Sequence, residues 1–245
     1  MAHLSDLKLK YQLLIKGCPF RRVDWRPGAR LIKHLTQSRI ALITTAGFYL
    51  PSQPPFDQSF RHDDCSYREI PWSIPVDMLQ IGQNSDAFDH SGIEADRNLT
   101  LPLDRLREMI GAGEIGDAAP RHFSIMGSII APARLISESG PEIAAKLRDD
   151  SVDGVLLAPV CPFCHEAAGL LQSIIEKEGI PTVSISSLTE ITSRLEPPRV
   201  LVLNRQLGYP HGEPNNPDLQ KRMMRSALSL LSTPLRGPLT INFAE

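Results

Sequence analysis

The chain has 245 residues, enough for one large α/β domain or two small ones with a sizeable core. Acidic residues number 28 against 26 basic ones and no long basic run is present, which argues against a nucleic-acid partner. No stretch has the length and apolarity of a membrane span, and the N-terminal MAHLSDLKLKYQLLIKG scatters charges where an export signal is apolar. We therefore expect a cytoplasmic protein that acts on a small molecule in a compartment where thiols stay reduced.

Apolar strand patterns alternate with helical patterns along the chain. The strand patterns are 39–47, 76–82, 122–130, 153–160, 181–186 and 199–204. Amphipathic helices are predicted between them, over 103–113, 140–150 and 166–179. This alternation predicts an α/β fold with a mainly parallel sheet flanked by helices. We expect a single domain over 1–245, and the pattern leaves open two Rossmann-like halves around a cleft.

Two proline-rich stretches interrupt this alternation. Residues 50–75 contain too many prolines for regular structure, and residues 208–218 have the same character. Loops of this length in a compact chain are usually functional, so the first is expected to form a lid and the second to shape the site.

The string CPFCH holds the only close pair among the four cysteines, Cys161 and Cys164. A buried-strand pattern precedes it and a helix follows, which predicts Cys161 at the carboxyl end of a parallel strand, where open α/β sheets bind ligands. Pro162 suits the first helical position, so Cys161 is expected to be the N-cap, with its sulfur at the positive end of the helix. These features favour a thiolate, and Cys164 lies close enough to attack an adduct formed on Cys161.

By itself the motif leaves several interpretations open. A redox or nucleophilic pair is favoured, whereas c-type haem attachment requires export to an oxidising compartment. A zinc site built from Cys161, Cys164 and His165 lacks an obvious fourth ligand, and small apolar cysteines can simply pack at a helix start. The string CPFC after a strand also looks like the active site of glutaredoxins and thioredoxins, a likeness confined to the last third of the chain.

Longer strings extend over most of the chain. They are ALITTAGFYLPSQPPFD with CSYREIP, DHSGIEADRNLTLPLDRLREMIGAGEIGDAAPRHFSIMG, VDGVLLAPVCPFCHEAAGLLQSIIEKEGIPTVSIS, and PPRVLVLNRQLGYPHGEPNNPDLQKRMMRSALSLL. In this order they resemble the selenoprotein B family. That family comprises the B component of glycine, sarcosine and betaine reductases and the corresponding subunit of D-proline reductase.

The resemblance implies reductive cleavage of a bond at a substrate carbon, typically carbon–nitrogen, by a selenol in a Sec-x-x-Cys motif. Cys161 stands at the place of the selenocysteine and Cys164 at that of its resolving cysteine. A thiol is the weaker nucleophile and leaving group, so we expect slower chemistry or a more activated substrate. Those reductases generally work with a pyruvoyl-bearing partner, a group that this chain cannot supply.

These points together predict a thiol-dependent reductase of a small substrate. We expect no bound cofactor and no metal, and an external dithiol donor, thioredoxin-like or other, as the source of electrons. A partner subunit or a homo-oligomer is also expected. The alternatives are a general thiol–disulfide oxidoreductase of the glutaredoxin or thioredoxin type and a non-enzymatic Cys/His metal-binding module.

An acid–histidine cluster in DHSGIEAD is a further candidate for substrate binding or proton transfer. It contains Asp89, His90 and Asp96 before a helical segment, and the resemblance supports a role in the site. The alternative is a loop and a helix N-cap.

Other polar residues are candidates for the same roles. Arg121 and His122, at the start of a strand pattern, could bind a substrate carboxylate or carry a proton. His165 directly follows the cysteine pair, and His211 in GYPHGEP is a minor candidate ligand.

Overall fold

Most of the strands assemble into one principal sheet. The computed structural model describes residues 2–24, 26, 28–57, 64–83 and 85–244. The strands are β1 (Arg39–Thr44), β2 (Phe48–Tyr49), β3 (Tyr67–Pro71), β4 (Gln80–Ile81), β5 (Asp117–Ala118), β6 (Arg121–Ile125), β7 (Gly154–Ala158), β8 (Thr182–Ser186), β9 (Arg199–Val202) and β10 (Leu239–Asn242).

Helices connect these strands. They are α1 (Leu9–Gly17), α2 (Ser91–Ala95), α3 (Leu103–Gly111), α4 (Gly140–Asp149), α5 (Pro162–Lys177), α6 (Thr189–Leu195) and α7 (Pro217–Ser229). A π-helical turn, Leu135–Ser139, leads directly into α4. None of the helices in the described part of the chain combines the length and the apolarity that crossing a membrane requires.

The sheet has the order β10-β9-β8-β7-β1-β6-β3, and β5 also pairs with β1. Every pairing is parallel except that of β3 with β6. Because β6 and β7 lie on opposite sides of β1, the chain reverses its direction across the sheet between them. The carboxyl ends of β1 and β7 therefore form a topological switch point, the position at which open α/β sheets place their sites.

The sheet lies between two layers of helices because successive side chains of a strand point to opposite faces. Leu42 of β1 belongs to a buried cluster with Leu106 of α3, whereas its neighbour Ile43 clusters with Leu147 of α4 and Leu171 of α5. Both faces of the central strands are thus apolar. This explains why these strands appear in the sequence as continuous apolar runs.

A buried ion pair closes the amino edge of the sheet. Arg199, the first residue of β9, is fully buried and donates to Glu176 of α5 at 2.8 Å. Its guanidinium also donates to the carbonyls of Ala29 and Thr233. One side chain therefore connects the N-terminal segment, α5 and the C-terminal segment.

The predicted fold class is confirmed, and two local predictions are corrected. Val76–Met78 forms a 3-10 turn where a strand was expected, and only Gln80–Ile81 of that stretch pairs, with β2. The proline-rich stretch 50–75 contains β3, and Pro71 at the end of β3 does not interrupt the pairing because β3 is an edge strand. Residues 58–63, which include part of the expected lid, lie outside the described residues. The described strands form one principal sheet and a two-stranded sheet of β2 and β4.

Candidate active site

The chain turns from β7 into α5 at Cys161. Cys161 has extended backbone angles, φ −127° and ψ 171°, and is the N-cap residue of α5, with Pro162 in the first turn. Its sulfur accepts a hydrogen bond from the backbone N–H of Cys164, at 3.3 Å. The predicted N-cap is therefore confirmed, and the Cys161 sulfur lies at the positive end of a 16-residue helix.

Cys161 and Cys164 form a disulfide, with their α-carbons 4.9 Å apart. Cys18 and Cys65 take no part in it. Both bonded cysteines have zero solvent exposure. Neither sulfur can therefore be reached from solvent unless neighbouring groups move.

Gly127, just after β6, packs directly against this pair. Its φ of +71° lies in the left-handed region, and a Cβ placed there would lie 2.8 Å from the sulfur of Cys164. The same Cβ would also collide with the side chain of Thr45, which follows β1. A glycine is thus required for the backbone to approach the sulfur.

Gln83 joins the segments that follow β1 and β6. Its side-chain amide donates to the carbonyls of Thr45, at 3.1 Å, and Met126. Gln83 is 4% exposed, so these two bonds are shielded from water. Gln83 is therefore linked to the disulfide through the residue before Gly127, and three segments that are far apart in the sequence are bonded to one another at this edge.

His165 lies one helical turn after Cys161 and is buried. Its Nδ1 donates to the Cys161 carbonyl at 2.7 Å, because a carbonyl can only accept. Burial lowers the pKa of His165 to about 4, so the ring is neutral at neutral pH. Its Nε2 is then a bare acceptor that finds no hydrogen-bond partner among the described residues.

Asp89 and His90 lie at the start of α2, on the same edge of the sheet. The Asp89 carboxylate accepts from the backbone and hydroxyl of Ser91, and the Ser91 hydroxyl is the main reason why the pKa of Asp89 is lowered. His90 donates from Nε2 to the Ser85 carbonyl at 2.6 Å and stacks on Phe88. Both residues thus organise a loop, and Asp89 remains accessible.

Asp96 and His211 connect the neighbouring loops. Asp96 accepts from the backbone of Asn98 and Asn215 and from the Gln220 side chain. His211 donates from Nδ1 to the Leu99 carbonyl, and burial lowers its pKa to about 4. The predicted Asp89–His90–Asp96 cluster is therefore divided between the two ends of α2.

Arg121 and His122 lie at the opposite edge of the sheet. Since they begin β6, about 13 Å of strand separates Arg121 from the carboxyl edge. Arg121 forms a two-point ion pair with Asp150, at 2.7 and 2.9 Å. His122 is fully buried, accepts from the backbone N–H of Leu42 and has its pKa lowered to about 3 by burial. The structure does not bring these two residues to the disulfide.

A cavity of about 490 Å³ lies beside the switch point. Phe88, Asp89 and Tyr209 line it, together with N-terminal residues. Gly208, next to Tyr209, donates its backbone N–H to the carbonyl of Val160 at 3.0 Å. The wall of the cavity is therefore bonded to the residue that precedes Cys161.

The alternative interpretations of the CPFCH motif predict different structures. In the described part of the chain, no three His, Cys, Asp or Glu side chains converge as metal ligands would. A thioredoxin-like unit confined to the last third is not what the structure has, because β7 pairs with β1 from the first third. Gln83, Thr45 and Gly127 were not identified from the sequence, although a glycine just after a strand is a usable signal.

Comparisons with known proteins identify the family of the chain. A family model for glycine/sarcosine/betaine reductase selenoprotein B matches residues 7–160, a range that ends immediately before Cys161. The D-proline reductase subunit gamma of Acetoanaerobium sticklandii is 31% identical over 207 residues, which cover 84% of this chain and 82% of that protein. No solved structure matches.

Two further relatives are longer proteins. The glycine reductase complex component B subunit gamma of Carboxydothermus hydrogenoformans is 26% identical over 94% of this chain and 54% of its own length. The betaine reductase complex component B subunit beta of Peptoclostridium acidaminophilum is 26% identical over 84% of this chain and 47% of its own. The chain thus spans about half the length of these two relatives. By the extent of the family match and the similarity to the D-proline reductase subunit, the chain belongs to the glycine/sarcosine/betaine reductase selenoprotein B family.

Proposed function

We propose that this protein is a thiol-dependent reductase that cleaves a bond at a carbon of a small substrate. In the proposed reaction the Cys161 thiolate attacks the substrate carbon, and the leaving group, an amine in the case of a carbon–nitrogen bond, departs with the bonding electrons and takes up a proton. Cys161 is then bound to the substrate fragment through a sulfur–carbon bond.

Cys164 completes the reaction by attacking the sulfur of Cys161. The sulfur–carbon bond breaks, the carbon leaves with the electron pair and takes up a proton, and the Cys161–Cys164 disulfide forms. Two electrons have then passed from the dithiol to the substrate. A dithiol donor, of the thioredoxin type or another, reduces the disulfide and restores both thiols.

The observation that carries this proposal is the position of the disulfide. It lies at the N-terminus of α5 and at the switch point of the sheet. The helix terminus stabilises a thiolate at Cys161, which bears the N-cap sulfur, more than at Cys164, which lies within the first turn. We therefore assign the attack to Cys161 and the resolving step to Cys164.

His165 and Asp89 fit the roles of hydrogen-bond acceptors toward the substrate. A pKa of about 4 makes His165 a poor base at neutral pH, so accepting a hydrogen bond at Nε2 suits it better than proton transfer. Asp89 is ionised and lines the cavity whose wall is bonded to Val160, where it suits a positively charged amine. The cavity itself is the proposed route of the substrate.

The names of the relatives support assembly with further subunits, because they are subunits of glycine, betaine or D-proline reductases. We propose that this chain likewise works beside a partner subunit in the cytoplasm. Because Cys161 supplies a thiol in place of a selenol, we propose that its substrate is activated. The activation comes either from the partner subunit or from the chemical structure of the substrate.

Two cysteine variants test the mechanism. Cys161→Ser should form no adduct, since a serine hydroxyl is scarcely ionised at neutral pH, whereas Cys164→Ser should stall after the first attack. Reduced proteins are incubated with D-proline, glycine, sarcosine, betaine or a cell extract, and intact-mass spectrometry detects the retained fragment. Cys18→Ser is the matched control and should behave as the wild type.

The mass of an adduct on Cys164→Ser would also identify the substrate fragment. Adducts on both variants, or on Cys161→Ser alone, would reverse the assigned roles. The absence of any adduct on Cys164→Ser, together with equal loss of bound metal in both variants, would overturn the nucleophile assignment in favour of a metal site.

A further inference from the structure

The helix α1 carries three of the six large apolar side chains that are exposed in the described part of the chain. They are Leu9, Leu13 and Leu14, with exposures of 68%, 60% and 38%. At about 100° per residue they fall on one side of the helix, whereas Tyr11 and Ile15, on the opposite side, are buried in the core. The helix is therefore apolar on two sides, which is typical of a helix that is covered on both.

The exposed side of α1 is also basic. It carries Lys10 and Lys16 beside the three leucines, and these five side chains are here called the α1 face. Residues 7–23 contain five basic side chains and no acidic one, although the whole chain has a net charge of −2. Lys10 shares the Asp86 carboxylate with Lys8, and Lys16 forms no ion pair in the described part of the chain. The charge that complements the α1 face is therefore negative.

The segment after α1 packs against the helix that carries the cysteine pair. Phe20 stacks on Phe163 in the first turn of α5, with the ring centroids 5.7 Å apart. The next residue, Arg21, donates its backbone N–H to the buried side chain of Glu166 at 3.2 Å. Because Phe20 follows the end of α1 at Gly17 by three residues, at most about 11 Å of chain separates them. A protein bound to the α1 face is thus held close to the first turn of α5.

A second copy of this chain is a poor match for the α1 face. In a two-fold symmetric dimer the same surface patch of both copies meets itself. The lysines of one face would then oppose the lysines of the other, and like charges brought together at an interface disfavour association. The partner is therefore a different molecule.

A membrane surface is also a poor match. Binding at a membrane interface grows with the apolar area that is inserted, and even a single myristoyl chain gives only marginal binding. Three partly exposed leucines on a nine-residue helix, whose other side is fixed in the core, insert less apolar surface than that. A folded protein can instead surround the leucines and pair with the lysines.

We infer that the α1 face binds a partner subunit whose contact surface has acidic residues around an apolar area, and that this contact holds the subunit beside α5. The inference rests on the proposed function, in which the chain works with a partner subunit. The lysines attract the acidic surface, and the leucines fill its apolar area as water leaves.

Carbodiimide cross-linking tests this inference on the tagged protein, purified with its bound proteins from the cells that produce it naturally. The reagent joins a lysine to a carboxylate in contact with it. Lys16 should therefore be linked to an Asp or Glu side chain of a co-purifying subunit, which peptide mass spectrometry identifies. The ion pair of Lys10 with Asp86, at 2.7 Å, is the internal control and should be linked with or without a partner.

Three variants show whether co-purification depends on the α1 face. Leu13→Asp places a carboxylate among the leucines and should lower the amount of co-purified subunit at least about 10-fold. Lys16→Glu changes the charge alone and should lower it by a smaller factor. Met78→Asp is the matched control, because it makes the same kind of change at a side chain that is 52% exposed and lies outside the α1 face. It should leave the amount unchanged, and all three variants should unfold at the wild-type temperature because each side chain is exposed.

Equal recovery of the subunit with wild type and Leu13→Asp would overturn the inference, as would the absence of any co-purifying subunit. Cross-links from Lys16 to a second copy of this chain would overturn it in favour of self-association. Binding of the wild type, but not of Leu13→Asp, to phosphatidylglycerol vesicles would overturn it in favour of a membrane surface.

The outcome for the α1 face is separate from the outcome for the proposed reaction. Adducts on Cys164→Ser together with equal recovery of the subunit would leave the reductase and remove the docking face. Links from Lys16 to a subunit without any adduct would leave the docking face and remove the nucleophile assignment.

Discussion

The amino and carboxyl edges of the sheet use polar residues in different ways. At the amino edge, three parallel strands begin with an arginine: Arg39, Arg121 and Arg199. Each of these is paired with a carboxylate, Arg121 with Asp150 and Arg199 with Glu176 among them. The charges at this edge satisfy one another and stabilise the fold.

The carboxyl edge is built mainly from uncharged groups, and one of them has an unsatisfied hydrogen-bond acceptor. Cys161, Cys164 and Gln83 are neutral and fully or almost fully buried. His165 keeps an acceptor nitrogen without a hydrogen-bond partner among the described residues. The comparison teaches that charge alone is a poor guide to the candidate site in this molecule, because the strongest ion pairs are structural and the groups around the disulfide are neutral.

Breaking the buried pair at the amino edge should have the largest effect on stability. Arg199→Met leaves the Glu176 carboxylate buried without its ionic partner, which should cost about 3 to 5 kcal/mol in the free energy of unfolding. Urea unfolding measures this loss. Arg39→Met, at an exposed pair of the same edge, is the control and should cost less than about 1 kcal/mol. Similar losses in both variants would contradict the distinction.

Acid should weaken the carboxyl edge through His165. The pKa of its ring is about 4 in the folded protein and 6.5 in the unfolded chain, so the unfolded chain binds more protons between these values. Stability therefore falls as the pH drops from 6.5 to 4, by about 3 kcal/mol for this group. Urea unfolding at pH 7, 6 and 5 should show a shallower fall for His165→Asn, and equal slopes would refute the assignment.

Substitutions at Gly127 and Gly113 should separate the cost of backbone strain from the cost of close contacts near the disulfide. Gly127→Ala meets a left-handed φ, the Thr45 side chain and the Cys164 sulfur, and should cost about 2 to 3 kcal/mol. Gly113 has nearly the same φ, +72°, but open space around it, so Gly113→Ala should cost only about 1 kcal/mol. Thermal unfolding compares the two, and equal losses would show that the close contacts with Thr45 and Cys164 contribute nothing.

The smallest effect is expected for a partly buried ion pair of the amino edge. Asp150→Asn weakens the two-point pair with Arg121 and should cost about 1 kcal/mol. The rate at which dithiothreitol reduces the disulfide should not change, because Arg121 lies at the far end of β6. A changed rate would mean that the two edges are coupled.

The features predicted well from the sequence are those set by neighbouring residues. The fold class follows from the alternation of strand and helix patterns, and the N-cap at Cys161 follows from the strand before it and Pro162 after it. Each of these predictions needs only a short window of sequence.

The features that were not predicted depend on contacts between distant segments. The approach of Gly127 to Cys164 and the bonds of Gln83 arise only when β1, β6 and β7 become neighbours. The position of Arg121 at the amino edge, by contrast, could have been predicted from the sequence. A residue that begins a parallel strand and one that follows the end of another lie at opposite edges.

Arg199 also constrains the order in which the molecule folds. The carbonyls that it binds belong to Ala29, 170 residues before it, and to Thr233, 34 residues after it. These contacts close long loops, so they gain little until the intervening strands have assembled. We therefore expect the N- and C-terminal segments to dock late, after the transition state, so that Arg199 slows unfolding and leaves the rate of folding almost unchanged.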